Sequence, residues 1–140
     1  MPAPLWASRY VGLKFVDGGR DFDGVDCWGL IRLVLTSEKN ILVPSYGEIS
    51  AEDLLAVARK IGPSSVLDPW MPAESSKAFD VVLMSGRSVR HLQIDGQPRR
   101  LAIHVGIMVN EKFMLHADFH AASVCMHIND PLIRHRIMGF

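Results

Sequence analysis

A cysteine stands at the start of the clearest amphipathic helix in the sequence. The tetrad Asp-Cys-Trp-Gly at positions 26–29 is followed by the apolar run Leu-Ile-Arg-Leu-Val-Leu. Asp26 is a suitable N-cap for a helix over residues 27–36. One stripe of that helix contains Cys27, Leu30, Ile31, Val34 and Leu35. We therefore expect Cys27 at the edge of the core, where the helix dipole and unpaired N–H groups favour a thiolate.

Length and composition predict one globular domain over residues 1–140. The hydrophobic fraction is 49% and the charged fraction 21%, as in folded proteins. Lys+Arg and Asp+Glu both number 15, so net charge gives no case for nucleic acid or an anionic membrane as a partner. We see neither a membrane-spanning run nor a secretory signal, so we expect cytoplasmic synthesis without membrane insertion.

The predicted elements run from helices to strands. A short helix over residues 5–11 and a Gly- and Asp-rich loop over 12–25 precede the cysteine helix. Residues 51–61 predict a second long helix, and 64–77 are expected to be irregular. The strand candidates are residues 79–84, 92–94, 101–109, 112–117, 123–128 and 136–140. Helices followed by an antiparallel sheet indicate the α+β class.

Two histidines lie on neighbouring predicted strands. His104 shares one strand face with Ala102 and Gly106, while the residues between them are apolar. Pairing His104 with His116 requires a three-residue loop over 109–111, in which Asn110 would tolerate positive φ. We predict this loop, or a bulge, with both imidazoles on the face toward the Cys27 helix.

These three residues predict nucleophilic catalysis. Cys27 would be the nucleophile, His104 the base, and His116 the partner that fixes the tautomer and orientation of His104. A thiolate–imidazolium pair needs no strong base, so a neutral third group is acceptable. The amide N–H of Cys27 would donate to an oxyanion. The implied reaction is acyl transfer, most simply amide hydrolysis.

Structural interpretations compete with this one. A cysteine at a helix start is commonly a buried small hydrophobe, and Cys125 is interpreted as core, although a disulfide with Cys27 is arithmetically possible. His116, Asp118 and His120 alternate along the chain, which could suggest a metal site. No fourth ligand is evident, so we assign Asp118 and His120 to a solvated turn and predict no metal and no cofactor.

Four segments in a specific order resemble those of a known family. They are Gly18-Gly19 with Gly24-Val25-Asp26-Cys27 and Gly29; Phe-Asp-Val-Val-Leu-Met at 79–84; His-Val-Gly-Ile at 104–107; and Lys-Phe-Met-Leu-His-Ala at 112–117. They resemble the nucleophile loop, the Gly-Asp-Leu-Val-Phe-Phe strand, the catalytic-histidine strand and the third-residue strand of the NlpC/P60 cysteine peptidases. The resemblance covers about residues 10–128 and implies a papain-like domain with a Cys-His-His triad.

The resemblance also implies a substrate and a setting. Family members cleave stem peptides of bacterial peptidoglycan, typically between D-glutamate and diaminopimelate. The Asp-Cys-Trp-Gly-Leu motif, with Gly-Gly-Arg-Asp at 18–21, is most similar to the subgroup encoded among phage tail and gene-transfer-agent genes. The implied partners are tail-tip proteins, and the implied place of action is the wall of a recipient cell.

Departures from the family pattern concern the pocket. Phe15 stands where many members have a tyrosine, which removes one hydroxyl from the oxyanion region. Trp28 replaces a common serine, and it would make the pocket beside Asp26 bulkier. The segment 85–100, which contains four arginines, is longer than in compact members and is expected to be an exposed hairpin or loop. An inactive tail-tip or baseplate adaptor, or an amidase or acyltransferase with the same triad, therefore remain alternatives.

Overall fold

The computed structural model describes residues 2–43, 76–85, 104–118 and 121–140, and the backbone of residues 92–94 and 97–99. The predicted helix over 51–61, most of segment 64–77 and His120 lie outside these ranges. Among the described residues, no helix has the length and apolar character needed to cross a bilayer.

Two helical elements and two short strands precede the main sheet. A 3-10 helix spans Leu5–Tyr10 and a small hairpin pairs β1 (Arg20–Asp21) with β2 (Gly24–Val25). Helix α1 follows at Cys27–Lys39. The later strands are β3 (Val81–Met84), β4 (Leu92–Ile94), β5 (Gln97–Arg99), β6 (His104–Met108), β7 (Phe113–His116), β8 (Val124–His127) and β9 (Ile137–Gly139). A second 3-10 helix, Arg134–Arg136, precedes β9.

The main sheet has five antiparallel strands in the order β8-β7-β6-β3-β9. Strands β4 and β5 form a separate hairpin within the segment 85–100, which agrees with the hairpin predicted there. Helix α1 packs on the sheet mainly through β6. The α+β prediction is therefore confirmed.

Helix α1 begins at the predicted residue and ends three residues beyond its predicted end. The Asp26 carboxylate accepts a hydrogen bond from the Gly29 amide at 2.7 Å, which satisfies a donor of the first turn. The helix ends at Asn40, whose φ of 54° places it in the left-handed region that stops helices. The four aliphatic residues of the predicted stripe are buried, and Cys27 is half-buried at its end.

The two faces of the sheet pack in different clusters. Val105, Ile107 and Leu115 pack with the apolar stripe of α1. Met108 and Met114 belong to a second cluster on the other side. Since side chains alternate along a strand, His104 and His116 share the methionine side. Their shared face is confirmed, but the prediction that it faces α1 is wrong, because the apolar stripe of α1 covers the more apolar side of β6. Cys27 lies at the N-terminal end of that stripe, beside the backbone at the start of β6.

The β6–β7 hairpin has a three-residue loop in a shifted register. Gly106, not His104, lies opposite His116, and the Val109 amide donates to Phe113 at 2.9 Å. The shift is two residues, so both histidines stay on one face. Asn110 does not take the positive φ that was expected. Its side-chain oxygen instead accepts hydrogen bonds from the amides of residues 112 and 113, and this Asx turn moves the loop to residues 110–112.

Strand β3 begins later than predicted because of Phe79. Its φ of 72° lies in the left-handed region, which interrupts an extended strand. The ring stacks on Trp6 with a centroid separation of 5.2 Å, and Lys39 lies over it at 5.1 Å. The resembling family motif has glycine at this position. Here ring packing holds a backbone conformation that glycine adopts without strain.

Candidate active site

The start of α1 is fixed by the buried carboxylate of Asp26. One oxygen accepts hydrogen bonds from the Gly29 amide and from Arg20 Nη1, each at 2.7 Å, and the other accepts from the Gly18 amide at 3.0 Å. A methyl group at Gly29 would overlap the carbonyl oxygen of Gly19. The glycine loop and the helix start therefore form one rigid unit that places Cys27.

Cys27 lies against the beginning of β6. Hydrogen bonds from the backbones of Val105 and Trp28 favour its thiolate, but burial and the adjacent Asp26 carboxylate raise the pKa of Cys27 to about 12. The prediction of a low-pKa thiolate is therefore wrong. It rested on the helix dipole and the unpaired N–H groups, whereas the N-cap that orders the helix is itself an anion beside the sulfur.

Phe15 and Trp28 lie close to the nucleophile in the fold. The backbone of Phe15 forms a parallel bridge with Val25, two residues before Cys27. Both aromatic side chains are half-buried and pack against the core that contains α1. They are therefore part of the supporting structure of the helix start.

The two histidines form a buried pair. His104 Nε2 and His116 Nδ1 are 3.1 Å apart, and the residues are only 5% and 3% exposed. His116 Nε2 lies 3.3 Å from the sulfur of Met126. The predicted contact between these residues is confirmed, and it fixes which ring nitrogens face each other.

Asp118 completes this cluster, which corrects the prediction of a solvated turn. Its carboxylate accepts two hydrogen bonds from Arg136, at 2.8 and 2.9 Å. The same oxygens lie 3.4 Å from His104 Nε2 and 3.7 Å from His116 Nδ1. Burial alone would raise the pKa of Asp118, but Arg136 and the two histidines hold it well below its usual range. Alternation with His116 on one strand face was the available signal for Asp118.

The spacing of the ligand atoms in this cluster would suit a metal ion, but the charges around them would not. Ligand atoms of His104, His116 and Asp118 lie within 4.8 Å of one another. Both Asp118 oxygens are engaged by the Arg136 guanidinium, which would repel a cation bound there. The donor set therefore matches an internal ion pair better than a metal site.

The second cysteine is separate from this cluster. Cys125 lies on β8 opposite Leu115 and packs against the α1 side of the core. Burial raises its pKa. Both cysteines are free thiols, so the core interpretation of Cys125 is confirmed and the arithmetically possible disulfide is not formed.

Comparison with known proteins identifies the family. Solved structures with similar folds include the NlpC/p60 domain of the peptidoglycan hydrolase SagA, with 19% identity, a TM-score of 0.55, and coverage of 91% of this chain and 87% of that one. Another is a protein described as similar to lipoprotein, NLP/P60 family, from Staphylococcus aureus subsp. aureus Mu50, with 19% identity and a TM-score of 0.54. The alignment covers 95% of this chain but 37% of that protein.

A search of curated protein sequences finds no significant match. The sequence profile of the NlpC/P60 family matches residues 12–140, which include the helix start, the histidine pair and Arg136. The chain therefore belongs to the NlpC/P60 family.

Proposed function

We propose that this protein is a cysteine peptidase that hydrolyses peptide bonds in the stem peptides of bacterial peptidoglycan. The observation that carries the proposal is the position of Cys27 against the backbone of Val105. The next residue, His104, belongs to the buried histidine pair. A potential nucleophile thus lies beside the residue that follows the potential base in β6, and this supports the proposal for a chain of the NlpC/P60 family.

The proposed reaction begins with neutral Cys27. Its thiol proton passes to Nδ1 of His104 while the sulfur attacks the substrate carbonyl carbon, since His104 Nε2 faces His116. The imidazolium then returns the proton to the leaving amine as the C–N bond breaks. Water, deprotonated by His104, attacks the resulting thioester and releases the acid product and the thiol. The raised pKa of Cys27 makes this base necessary.

Backbone donors at the helix start support the oxyanion. The amide of Cys27 is one of the N–H groups at the positive end of α1, and no side-chain hydroxyl is available from Phe15. The hydroxyl that the tyrosine of many family members contributes to the oxyanion region is therefore missing at position 15.

The substrate and setting follow from resemblance. We propose the D-glutamate–diaminopimelate bond because the motifs around Cys27 and His104 resemble those of peptidases that cut it. The peptidoglycan hydrolase SagA contains a domain of similar fold. The motif variant at residues 18–30 motivates a role as a phage-like tail component. In that role the protein would be made in the cytoplasm, contact tail-tip proteins and act at the wall of a recipient cell.

An inactive tail-tip or baseplate adaptor is the second candidate. The raised pKa of Cys27 and the loss of the tyrosine hydroxyl at Phe15 favour it. An amidase or acyltransferase that uses the same three residues would differ only in the bond attacked. Product analysis separates these candidates.

Digestion of purified sacculi tests the proposal. We expect the wild-type protein to release stem-peptide fragments, and Cys27→Ala to lower the release rate by at least about 1,000-fold, because the nucleophile is lost. Cys125→Ala is the matched control and should keep activity, since Cys125 lies in the core. Mass spectrometry of the new termini identifies the bond. Equal release by wild type and Cys27→Ala would refute the peptidase, and no release by folded wild type would favour the adaptor.

A further inference from the structure

Asp118 lies where two histidines and one arginine meet. One oxygen, Oδ1, lies 2.9 Å from Arg136 Nη2 and 3.4 Å from His104 Nε2. The other, Oδ2, lies 2.8 Å from Arg136 Nη1 and 3.7 Å from His116 Nδ1. Each carboxylate oxygen therefore faces the arginine on one side and an imidazole on the other.

Arg136 is itself held in place. It is 3% exposed, and its Nε donates to the carbonyl of Ser85 at 3.1 Å. The amide of Ser85 donates in return to the Arg136 carbonyl at 2.8 Å. Because the guanidinium is anchored at the end of β3, the bidentate pair fixes the plane of the Asp118 carboxylate.

We infer that Asp118 is a positioning residue: anchored by Arg136, its carboxylate keeps the proton of neutral His104 on Nε2, so that Nδ1 is the atom that accepts the proton of Cys27. The inference rests on the proposed function, in which His104 is the base. Asp118 and Arg136 thus share the role of fixing the tautomer of His104, which the sequence predicted for His116 alone.

The distances determine which nitrogen carries the proton. His104 Nε2 and His116 Nδ1 are 3.1 Å apart, so a single proton lies between them. Asp118 Oδ1 lies 3.4 Å from His104 Nε2, whereas Oδ2 lies 3.7 Å from His116 Nδ1, and the shorter contact favours the proton on Nε2 of His104. Neutral His116 then carries its own proton on its other nitrogen, where it can donate to the sulfur of Met126 at 3.3 Å. The contacts with Asp118 and Met126 therefore both agree with this tautomer.

The charges support a second part of the same role. Arg136 and the histidines keep Asp118 ionised, so it does not take the proton from His104. It instead stabilises the imidazolium that forms when Cys27 gives up its proton. Among the described residues, the charged or titratable groups of this cluster are His116, Asp118 and Arg136, while Cys27 and Asp26 lie at the start of α1, beside the residue after His104. Asp26 and Asp118 both disfavour the Cys27 thiolate, so Asp118 favours the thiolate–imidazolium pair only by stabilising the imidazolium.

Nitrogen-15 NMR of labelled histidines tests the assignment without substrate. In the wild-type protein we expect neutral His104 to be protonated on Nε2. Asp118→Asn should lower the proton affinity of the His104–His116 pair at least about tenfold, which is about one pH unit in its titration midpoint. Asp23→Asn, an exposed carboxylate of the glycine loop, is the control and should change neither. A wild-type His104 protonated on Nδ1 would overturn the inference even if Asp118→Asn failed to fold.

The pH profile of stem-peptide cleavage tests the catalytic consequence. We expect the acid limb of kcat/KM to move about one pH unit lower in Asp118→Asn, because His104 must be neutral to accept the thiol proton and loses its own proton at a lower pH in this variant. In a separate variant, Arg136→Lys keeps a cation beside the carboxylate, so its pH profile should stay close to that of the wild-type protein. A loss of rate that is uniform at all pH values, with an unchanged NMR midpoint, would reduce Asp118 to a structural role and overturn the inference. Inactive wild-type protein with His104 protonated on Nε2 would refute the proposed function alone.

Discussion

Two carboxylates, the buried Asp26 and the partly buried Asp118, each bind an arginine at the proposed active site, yet their electrostatic effects differ. Asp26 pairs with Arg20 at 2.7 Å and also accepts two backbone amides. The Asp118 carboxylate accepts two hydrogen bonds from Arg136 and lies near two histidines. Both carboxylates disfavour the Cys27 thiolate, but Asp26 orders the helix start, whereas Asp118 favours a cationic His104. The comparison shows that the neighbours of an ion pair decide whether it stabilises the fold or tunes the chemistry.

The largest expected effect is loss of the arginine from the Asp118 pair. Arg136→Met should lower the free energy of unfolding by about 3–5 kcal/mol, because it leaves the partly buried Asp118 carboxylate without its cation. The matched Arg20→Met should cost about 1–3 kcal/mol, since the amides of Gly18 and Gly29 still bind Asp26. Urea unfolding followed by circular dichroism measures both. Equal costs would mean that the two pairs do not differ as proposed.

The pH dependence of stability is expected to be the effect of intermediate size. Stability should fall toward low pH because of Asp118 and toward high pH because of Cys27. The pKa of Asp118 is lowered on folding, so its contribution is present above about pH 4 and is lost as the pH falls further. The pKa of Cys27 is raised to about 12, so its contribution is complete below about pH 8.5 and is lost as the pH rises. Each group changes stability by at most about 1.4 kcal/mol per pH unit.

Thermal unfolding between about pH 3 and 10 measures both limbs. Asp118→Asn should flatten the acid limb and leave the alkaline limb, whereas Cys27→Ser should do the reverse. If neither substitution changes the slope on its own side, the opposite charge preferences described for the two residues are wrong.

The smallest expected effect concerns Asp26, which caps α1 and also raises the pKa of Cys27. Asp26→Asn keeps a good N-cap, so the free energy of unfolding should fall by no more than about 1 kcal/mol. Removal of the carboxylate charge should lower the pKa of Cys27 and raise its alkylation rate by iodoacetamide at about pH 8 roughly threefold to tenfold. Asp23→Asn in the same loop is the control. An unchanged alkylation rate would mean that the Asp26 charge does not contribute to the raised pKa of Cys27.

Local sequence signals predicted most of the scaffold. Asp26 as N-cap, the apolar stripe of α1 and the common face of His104 and His116 all follow from short-range periodicity. The register of β6 and β7 did not, because the Asx turn at Asn110 moved the loop by one residue. The face of the histidines was also mistaken, since burial of the larger apolar side chains decides which side of β6 meets α1.

The electrostatics of the site depend on distant residues and were harder to predict. Asp118 and Arg136 are separated by 18 positions and lie beyond different strands, so no local pattern connects them. The raised pKa of Cys27 depends on its burial and on the Asp26 carboxylate together. Charge effects of this kind become visible only when the fold sets the distances.

Arg136 follows every other member of the proposed site in chain order. A ribosome-bound chain that has emerged only through β8 already contains Cys27 and both histidines, but not the counter-ion of Asp118. We therefore expect the histidine pair to acquire its final proton affinity late in synthesis, when the segment before β9 docks on the end of β3. In a nascent chain, hydrolytic competence would be among the last properties to appear.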